Sequence, residues 1–401
     1  MKKVAIVGAG TLPWRSRYAD KTARALALEA TQKALEDAHL AKEQLDTVIY
    51  STYCDLMLMQ QHPSIIMQDY LGMGNKPSLR ITAGAATGLY ALYAAFGQVA
   101  SGMSDVLLLL GLQKGQDFYS FETKSRGDGI LKGSSMALDT FWLYHVCLGS
   151  PAYLTAASLL PHMQKYGGPT PEQVAKVSVK NHKNALSNHE AQLKLELSVE
   201  DVLESRIIAW PTTMYECCLY SDCAAALILA SEDRAKEICD NPIWISGISV
   251  SSSASTRFVP ETLGRMMGVN VAAKKAYEMA GIKNPYKELD VLEVFDLISG
   301  VEILTCEELG LCELGEGGRL VDEGVFEKDG PLPVNPSGGR VACGHVGGVS
   351  DVYSMAYVVR QLQERAGDSQ VPIRHGKGLV ESIHGYAGLT GVAVFERQSS
   401  S

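Results

Sequence analysis

The sequence predicts an α/β protein made of two similar halves, residues 1–240 and 241–401. Three observations carry this. Short apolar strands alternate with helical stretches, the pattern of parallel βαβ units. A helix–loop–strand segment, Ala34–Ala38 followed by Leu45–Val48, recurs as Ala276–Ala280 followed by Leu289–Leu292. In each half a Gly-rich turn follows a strand and opens a helix: Gly84–Gly88 in the first, Gly338–Gly348 in the second.

In chain order, Lys3–Gly8 reads as a strand, Asp20–His39 as an amphipathic helix and Thr47–Thr52 as a strand. Ser64–Leu71 reads as a helix, Ser78–Ala83 as a strand, Ala86–Ser101 as an Ala-rich helix and Asp105–Leu112 as a buried strand. From about 114 to 215 the chain makes a long excursion, with helices at Ala152–Tyr166 and Pro171–Asn188 and no further sheet expected. Strands resume at Asp222–Ala230 and Ile243–Val250; a helix at Val271–Ala280 leads to the strand Leu289–Phe295 and a helix ending near Leu309. The helix Val349–Gln363 and the strands Lys377–His384 and Val392–Arg397 finish the chain.

Composition narrows the function. The 401 residues carry a net charge of −9, with 36 Lys+Arg against 45 Asp+Glu. No basic run stands out, which argues against nucleic acid. No apolar stretch reaches the roughly 18–20 residues that span a bilayer, so no membrane partner is expected. The apolar run Val4–Gly10 is too short for a secretory signal, and Pro13, Trp14 and Arg15 follow it, so a cytoplasmic protein is expected. Nine cysteines include no C-x-x-C pair, so no metal site is expected. Val7-Gly8-Ala9-Gly10 starts like a dinucleotide-binding turn, but Pro13 and a missing third glycine spoil it.

A tight strand-to-helix turn lifts a side chain into an open site, and the helix N-terminus favours a developing anion there. The first such turn, Thr82–Gly88, presents Ala85 among small residues; Thr82 and Thr87 are weak nucleophiles without an adjacent base. The second runs from Asn335 to Gly348 and fences His345 with Gly344 and Gly347, which suits a general base or an oxyanion-hole donor. A third Gly-bearing loop, Ser382–Gly388, holds His384, Gly385 and Tyr386. The plain alternative for each histidine is a turn residue bonded to backbone.

At these residues the sequence resembles the thiolase superfamily. Asn335-Pro336-x-Gly338-Gly339 and Gly344-His345-x-x-Gly348 resemble its N-P-x-G-G and G-H-x-x-G motifs, and His384-Gly385 resembles the C-terminal loop of the sterol-carrier-type subgroup. His162-Met163-x-x-Tyr166-Gly167, Val179–His182, Ser198–Arg206 and Ser221–Ala226 resemble that subgroup's inserted loop domain and return strand. The likeness implies a thiolase fold: two βαβαβαββ halves in a five-layered α-β-α-β-α sandwich, with a helical loop domain at about 114–215. It also implies coenzyme A as substrate with no other cofactor, a homodimer, and a small zinc-finger/OB-fold partner subunit.

Three departures matter. The family's nucleophilic cysteine position in C-A-S-G is Ala85, its H-D-C-F segment reads Phe295-Asp296-Leu297-Ile298, and S-D-G-A-A reads Ser221-Asp222-Cys223-Ala224-Ala225. An alanine cannot hold an acyl group. Either position 85 has been altered from cysteine or the natural reaction needs none; Cys343 is a further candidate nucleophile. The resemblance implies, first, thiolytic acyl transfer from a β-ketoacyl-CoA, with His345 activating the group at position 85 and His384 serving the α-carbon. On that reading Asn335, Gly344, Gly347, Gly385, Tyr386 and Phe295 frame the oxyanion and acyl sites. Phe295 suggests an aromatic acyl group, as in the partner-dependent thiolases that handle benzoylsuccinyl-CoA in toluene degradation, with fatty-acid β-oxidation as the broader setting. The alternatives are a cysteine-independent retro-aldolase on β-hydroxyacyl-CoA and an inactive acyl-CoA-binding scaffold.

Overall fold

A computed structural model describes residues 2–119, 123–125, 149–253, 260, 262–384 and 388–398. The strands are β1 (Val4–Thr11), β2 (Thr47–Ser51), β3 (Ser78–Ile81), β4 (Val106–Gln113), β5 (Ile207–Ala209), β6 (Thr212–Thr213), β7 (Cys223–Ser231), β8 (Ile243–Ser252), β9 (Val291–Glu293), β10 (Lys377–Ile383) and β11 (Leu389–Arg397). Nine of them form one sheet in the order β3-β2-β4-β7-β1-β8-β11-β10-β9. β1 and β8 meet antiparallel through two pairs, Ala5 with Trp244 and Ile6 with Ile243. Outward from this seam each half repeats one order: first, fifth, fourth, second and third strand. In the second half the third strand shrinks to a bridge between Leu292 and Val334.

The helices that matter to the site are α1 (Ala23–Asp37), α2 (Thr87–Ser101), α3 (Pro171–Ser187), α4 (Met267–Ala280), α5 (Ser299–Glu308) and α6 (Ser350–Leu362). The internal repeat has a packing cause. A Cβ on Gly8 of β1 would fall 2.5 Å from the carbonyl oxygen of Ala34 in α1; one on Gly247 of β8 would fall 2.1 Å from that of Ala276 in α4. Each half thus seats an alanine-faced helix directly on a glycine of its first strand. β4 and β7 are buried along their whole length, and both are nearly continuous apolar runs, as strands covered on both faces require.

Element boundaries moved for local reasons. α1 starts at Ala23 because the Thr22 hydroxyl accepts the Ala25 N–H, an N-cap. β9 stops at Glu293 because side chains take the next amides: Val294 donates to Asn335 Oδ1 and Phe295 to Glu381 Oε2. The excursion is not purely helical, since β5 and β6 form a small hairpin within it; residues 126–148 of it lie outside the described residues. No helix among them is long and apolar enough to cross a membrane.

Candidate active site

The first turn is shaped by Thr87, which is structural rather than reactive. Its hydroxyl accepts the Ala83 N–H at 2.8 Å and donates to the Gly84 carbonyl at 2.5 Å. Thr82 is likewise committed, to the Tyr53 carbonyl at 3.0 Å. Gly84 adopts φ 61°, and a Cβ there would lie 2.4 Å from the His384 ring. Only glycine lets the imidazole lie on this turn. Ala85 then donates its N–H to His384 Nδ1 at 3.3 Å.

The second turn is anchored by buried polar groups behind it. Asn335, at φ 52°, donates from its side chain to Glu302 Oε2 at 2.7 Å. Asn181 of α3 bridges Asp296 and Glu302, and Lys180 pairs with Glu302 at 2.8 Å. Arg340 donates its backbone N–H to Asp296 at 2.6 Å. Burial, first of all, pushes the Glu293 carboxyl up to about 7, against the Ser337 hydrogen bonds that favour its ionised form. Asp296 is raised by burial and by the neighbouring Glu302.

His345 leaves this turn in a strand-like bridge with Tyr220, its N–H given to Ser221 Oγ at 3.2 Å. Its Nδ1 lies 3.0 Å from Ser350 Oγ, which donates its own proton to the Val346 carbonyl at 3.0 Å. With the Ser350 proton on the Val346 carbonyl, Ser350 accepts from Nδ1–H and the neutral ring keeps a bare Nε2. His384 is the reverse: its Nδ1 accepts from Ala85, so the neutral ring carries its proton on Nε2. In that hydrogen-bond arrangement the two imidazoles take opposite tautomers, one an acceptor and the other a donor.

Burial, reinforced by the positive charge of Arg340 and by His384, pushes His345 down to about 3. A histidine with an ordinary unfolded value near 6.5 then stabilises the fold fully above that pH, and the contribution fades as pH falls from about 6.5 toward 3. His345→Gln should therefore cost about 2 kcal/mol less stability at pH 5 than at pH 7.5, measured by urea denaturation of both proteins at the two pH values. Equal losses at both would mean that folding leaves the ring's proton affinity unchanged.

Ala85, His345, His384 and Gly347 meet at one narrow pocket, completed by Tyr53, Tyr220, Leu297 and Ser150. Its open space, about 10 Å³ for the centre of a water-sized sphere, is room for roughly one water. A larger groove of about 610 Å³ lies between Lys3, Trp244 and Arg397 and holds none of these residues, so chemistry selects the smaller. Asn335 and Phe295 are not brought to the pocket. Asn335 is fully buried in the network behind the turn, and Phe295 supports the His345 ring edge-on with centroids 5.8 Å apart. Gly344, at φ 148°, makes room for the Trp14 ring. Gly385 and Tyr386 lie outside the described residues.

The first of the two helix starts already commits a backbone N–H to a side chain. Leu89 of α2 donates to Asp351 Oδ2 at 3.3 Å. Cys343 is not a nucleophile either: it is packed in the core beside Asn188, and burial holds its thiol well above the usual range. Cys343→Ala should leave turnover within about threefold of the parent, at a stability cost on the order of 1–2 kcal/mol for the lost sulfur; a dead but folded variant would restore it as a candidate. Tyr53, Tyr220 and Ser150 were missed. Tyr53 was findable, since it lies just past the carboxyl end of β2, where open α/β sheets place ligands; nothing local marks the other two.

The chain matches the family model for the thiolase N-terminal domain over residues 4–203 and that for the thiolase C-terminal domain-like family over residues 250–397. It is 33% identical to an acetyl-CoA acetyltransferase of Methanothermobacter thermautotrophicus, covering 99% of this chain and 100% of that protein. To the sterol carrier protein 2 of Homo sapiens it is 31% identical, over 94% of this chain and 70% of that one. Among solved structures, the Ltp2-ChsH2(DUF35) aldolase superposes with a TM-score of 0.84 at 21% identity, covering 100% of this chain and 99% of the other. An acetyl-CoA acetyltransferase from Syntrophomonas wolfei gives 0.74 at 18% identity, covering 99% of both.

Proposed function

Because the chain belongs to the thiolase superfamily of acyltransferase enzymes, we propose that it makes or breaks the carbon–carbon bond beside the carbonyl of an acyl-coenzyme A thioester. Within that class its own residues favour cleavage of a β-hydroxyacyl-CoA without a covalent acyl-enzyme. The observation that carries this reading is Ala85 facing two imidazoles of opposite tautomer. Acetyl transfer through a covalent acyl-enzyme, the way to read the name of the Methanothermobacter acetyl-CoA acetyltransferase, needs a nucleophile where this chain has a methyl group.

The proton and electron bookkeeping closes with the two histidines alone. Nε2 of His345 takes the proton of the β-hydroxyl, and the β-carbon leaves as an aldehyde or ketone. The electron pair of the broken Cα–Cβ bond passes into the thioester as an enolate, and Nε2–H of His384 protonates the α-carbon. The proton gained by His345 replaces the one given by His384. A base beside a proton donor, each set by its own hydrogen bond, is the arrangement that acid–base cleavage needs.

An aromatic acyl group, as in the benzoylsuccinyl-CoA expectation, finds its support in the rings of Tyr53 and Tyr220 rather than in Phe295. A homodimer is supported by β3, an edge strand with Leu79 45% exposed, beside exposed Ile65, Tyr70 and Tyr93. The name of the Ltp2-ChsH2(DUF35) aldolase, a pair, supports a small second subunit for this chain too.

The test is to offer the protein a β-hydroxyacyl-CoA and, separately, a β-ketoacyl-CoA with free coenzyme A, following released carbonyl compound and shortened acyl-CoA by mass spectrometry. Cleavage of the first and inertness toward the second is the expected result. Coenzyme A-dependent thiolysis by the unmodified chain would sink the aldol reading.

A further inference from the structure

Three turns of the fold, far apart in sequence, supply the pocket, and one buried carboxylate is bonded to two of them. Asp351, the second residue of α6, is fully buried. Its Oδ2 accepts the Leu89 N–H at 3.3 Å, at the start of the helix that follows Ala85. Its Oδ1 pairs with the Arg340 guanidinium at 3.3 Å, inside the turn that ends in His345. Burial, first of all, raises the Asp351 carboxyl above the usual carboxylate range, while Arg340, bonded to it, and next the Ser382 hydroxyl, two residues before His384, favour its charged form. Arg340 is itself fixed by Ser354 Oγ at 2.7 Å and, through its backbone, by Asp296. The preceding residue, Ser350, holds the Nδ1 of His345.

We propose that Asp351 is a positioning residue that sets the distance between position 85, His345 and His384, resting on the aldol reading for the chemistry that this geometry serves. The fit is close on both sides. A Cβ on Gly88 would lie 2.6 Å from the Asp351 Cβ, so the helix start is pressed against this side chain with no room for a larger neighbour. A charged acceptor at a helix N-terminus is also favoured by the helix dipole, so the same carboxylate holds the α2 start and neutralises Arg340. An uncharged side chain of equal size keeps the packing and loses the charge-assisted bonds, so the turns carrying Ala85 and His345 are released, and with the first of them the Ala85 N–H that His384 Nδ1 accepts, while the core stays filled.

The test compares the parent with Asp351→Asn, both labelled with ¹⁵N-histidine. The ring-nitrogen resonances of His345 and His384 should both move, while those of His162 and His182, buried elsewhere, stay in place. Turnover of a β-hydroxyacyl-CoA should fall on the order of 100-fold with the dissociation constant of the acyl-CoA within about threefold, a split between kcat and binding that a merely structural cap does not give. Unmoved His345 and His384 signals, or kcat and binding declining together with the folded fraction, would overturn the assignment. A parent that does not cleave β-hydroxyacyl-CoA sinks the aldol reading alone, and the resonances still decide the role of Asp351. If the asparagine variant does not fold, Asp351→Glu keeps the charge but adds a methylene against Gly88. It must displace the same two signals, and if they stay in place the proposal fails.

Discussion

Replacing His345 by alanine should lower kcat for carbon–carbon cleavage by about 10²–10⁴-fold, the usual worth of a positioned general base, while the acyl-CoA dissociation constant stays within about threefold. The ring is buried and pushed down to about 3, so it enters the reaction neutral. A ring that weak as a base gains proton affinity as negative charge develops on the substrate oxygen beside it. The ring is braced by Ser350 on one side and Phe295 on the other. Its loss leaves Ser350 still bonded to Val346, so no buried hydroxyl is stranded and the variant should fold. Steady-state kinetics together with calorimetric titration of a non-hydrolysable acyl-CoA separate the two effects. A variant that folds, binds and turns over at the parent rate would remove His345 from the mechanism, and with it the reading of the pocket as a base–acid pair.

The second large effect is a gain. Ala85→Cys should acquire a covalent acyl group when incubated with a short acyl-CoA, seen as a mass increase of one acyl unit per chain on the intact protein and absent from the parent. The sulfur would stand in the pocket with His345 Nε2, a proton acceptor, and the thiolate formed would in turn favour the imidazolium. Acylation of the variant that proceeds to coenzyme A-dependent thiolysis would mean that one side chain separates this chain from acyl transfer. A variant with an intact but unreactive thiol would mean that the pocket has diverged further than position 85, and would place the weight on the walls formed by Tyr53, Tyr220 and Leu297.

Much of the fold was legible because its period is written in small residues. The alanines at 34 and 276 recur since each half needs a flat helix face over a strand glycine, and glycines at 84 and 344 mark where aromatic rings lie directly on the backbone. The two histidines were legible for the same reason, as polar rings in turns that only glycine can make. What the sequence could not show is direction. Asn335 stands in the same motif as His345 yet faces the buried carboxylates, because its side chain replaces a strand partner for Val294. Phe295 sits one residue before Asp296 and backs the His345 ring instead of lining the acyl pocket. Tyr220 reaches the pocket through its bridge with His345 in the second half, a long-range pairing that no local pattern records.

Among the described residues, the sheet edges of the two halves meet through two residue pairs, Ala5 with Trp244 and Ile6 with Ile243. Ala85 belongs to one half and both imidazoles to the other. Severed near residue 240, neither fragment would own a competent pocket, and turnover would return only as the pieces find each other, second order in fragment concentration. The protein's activity is thus also a gauge of how well its own two parts are docked.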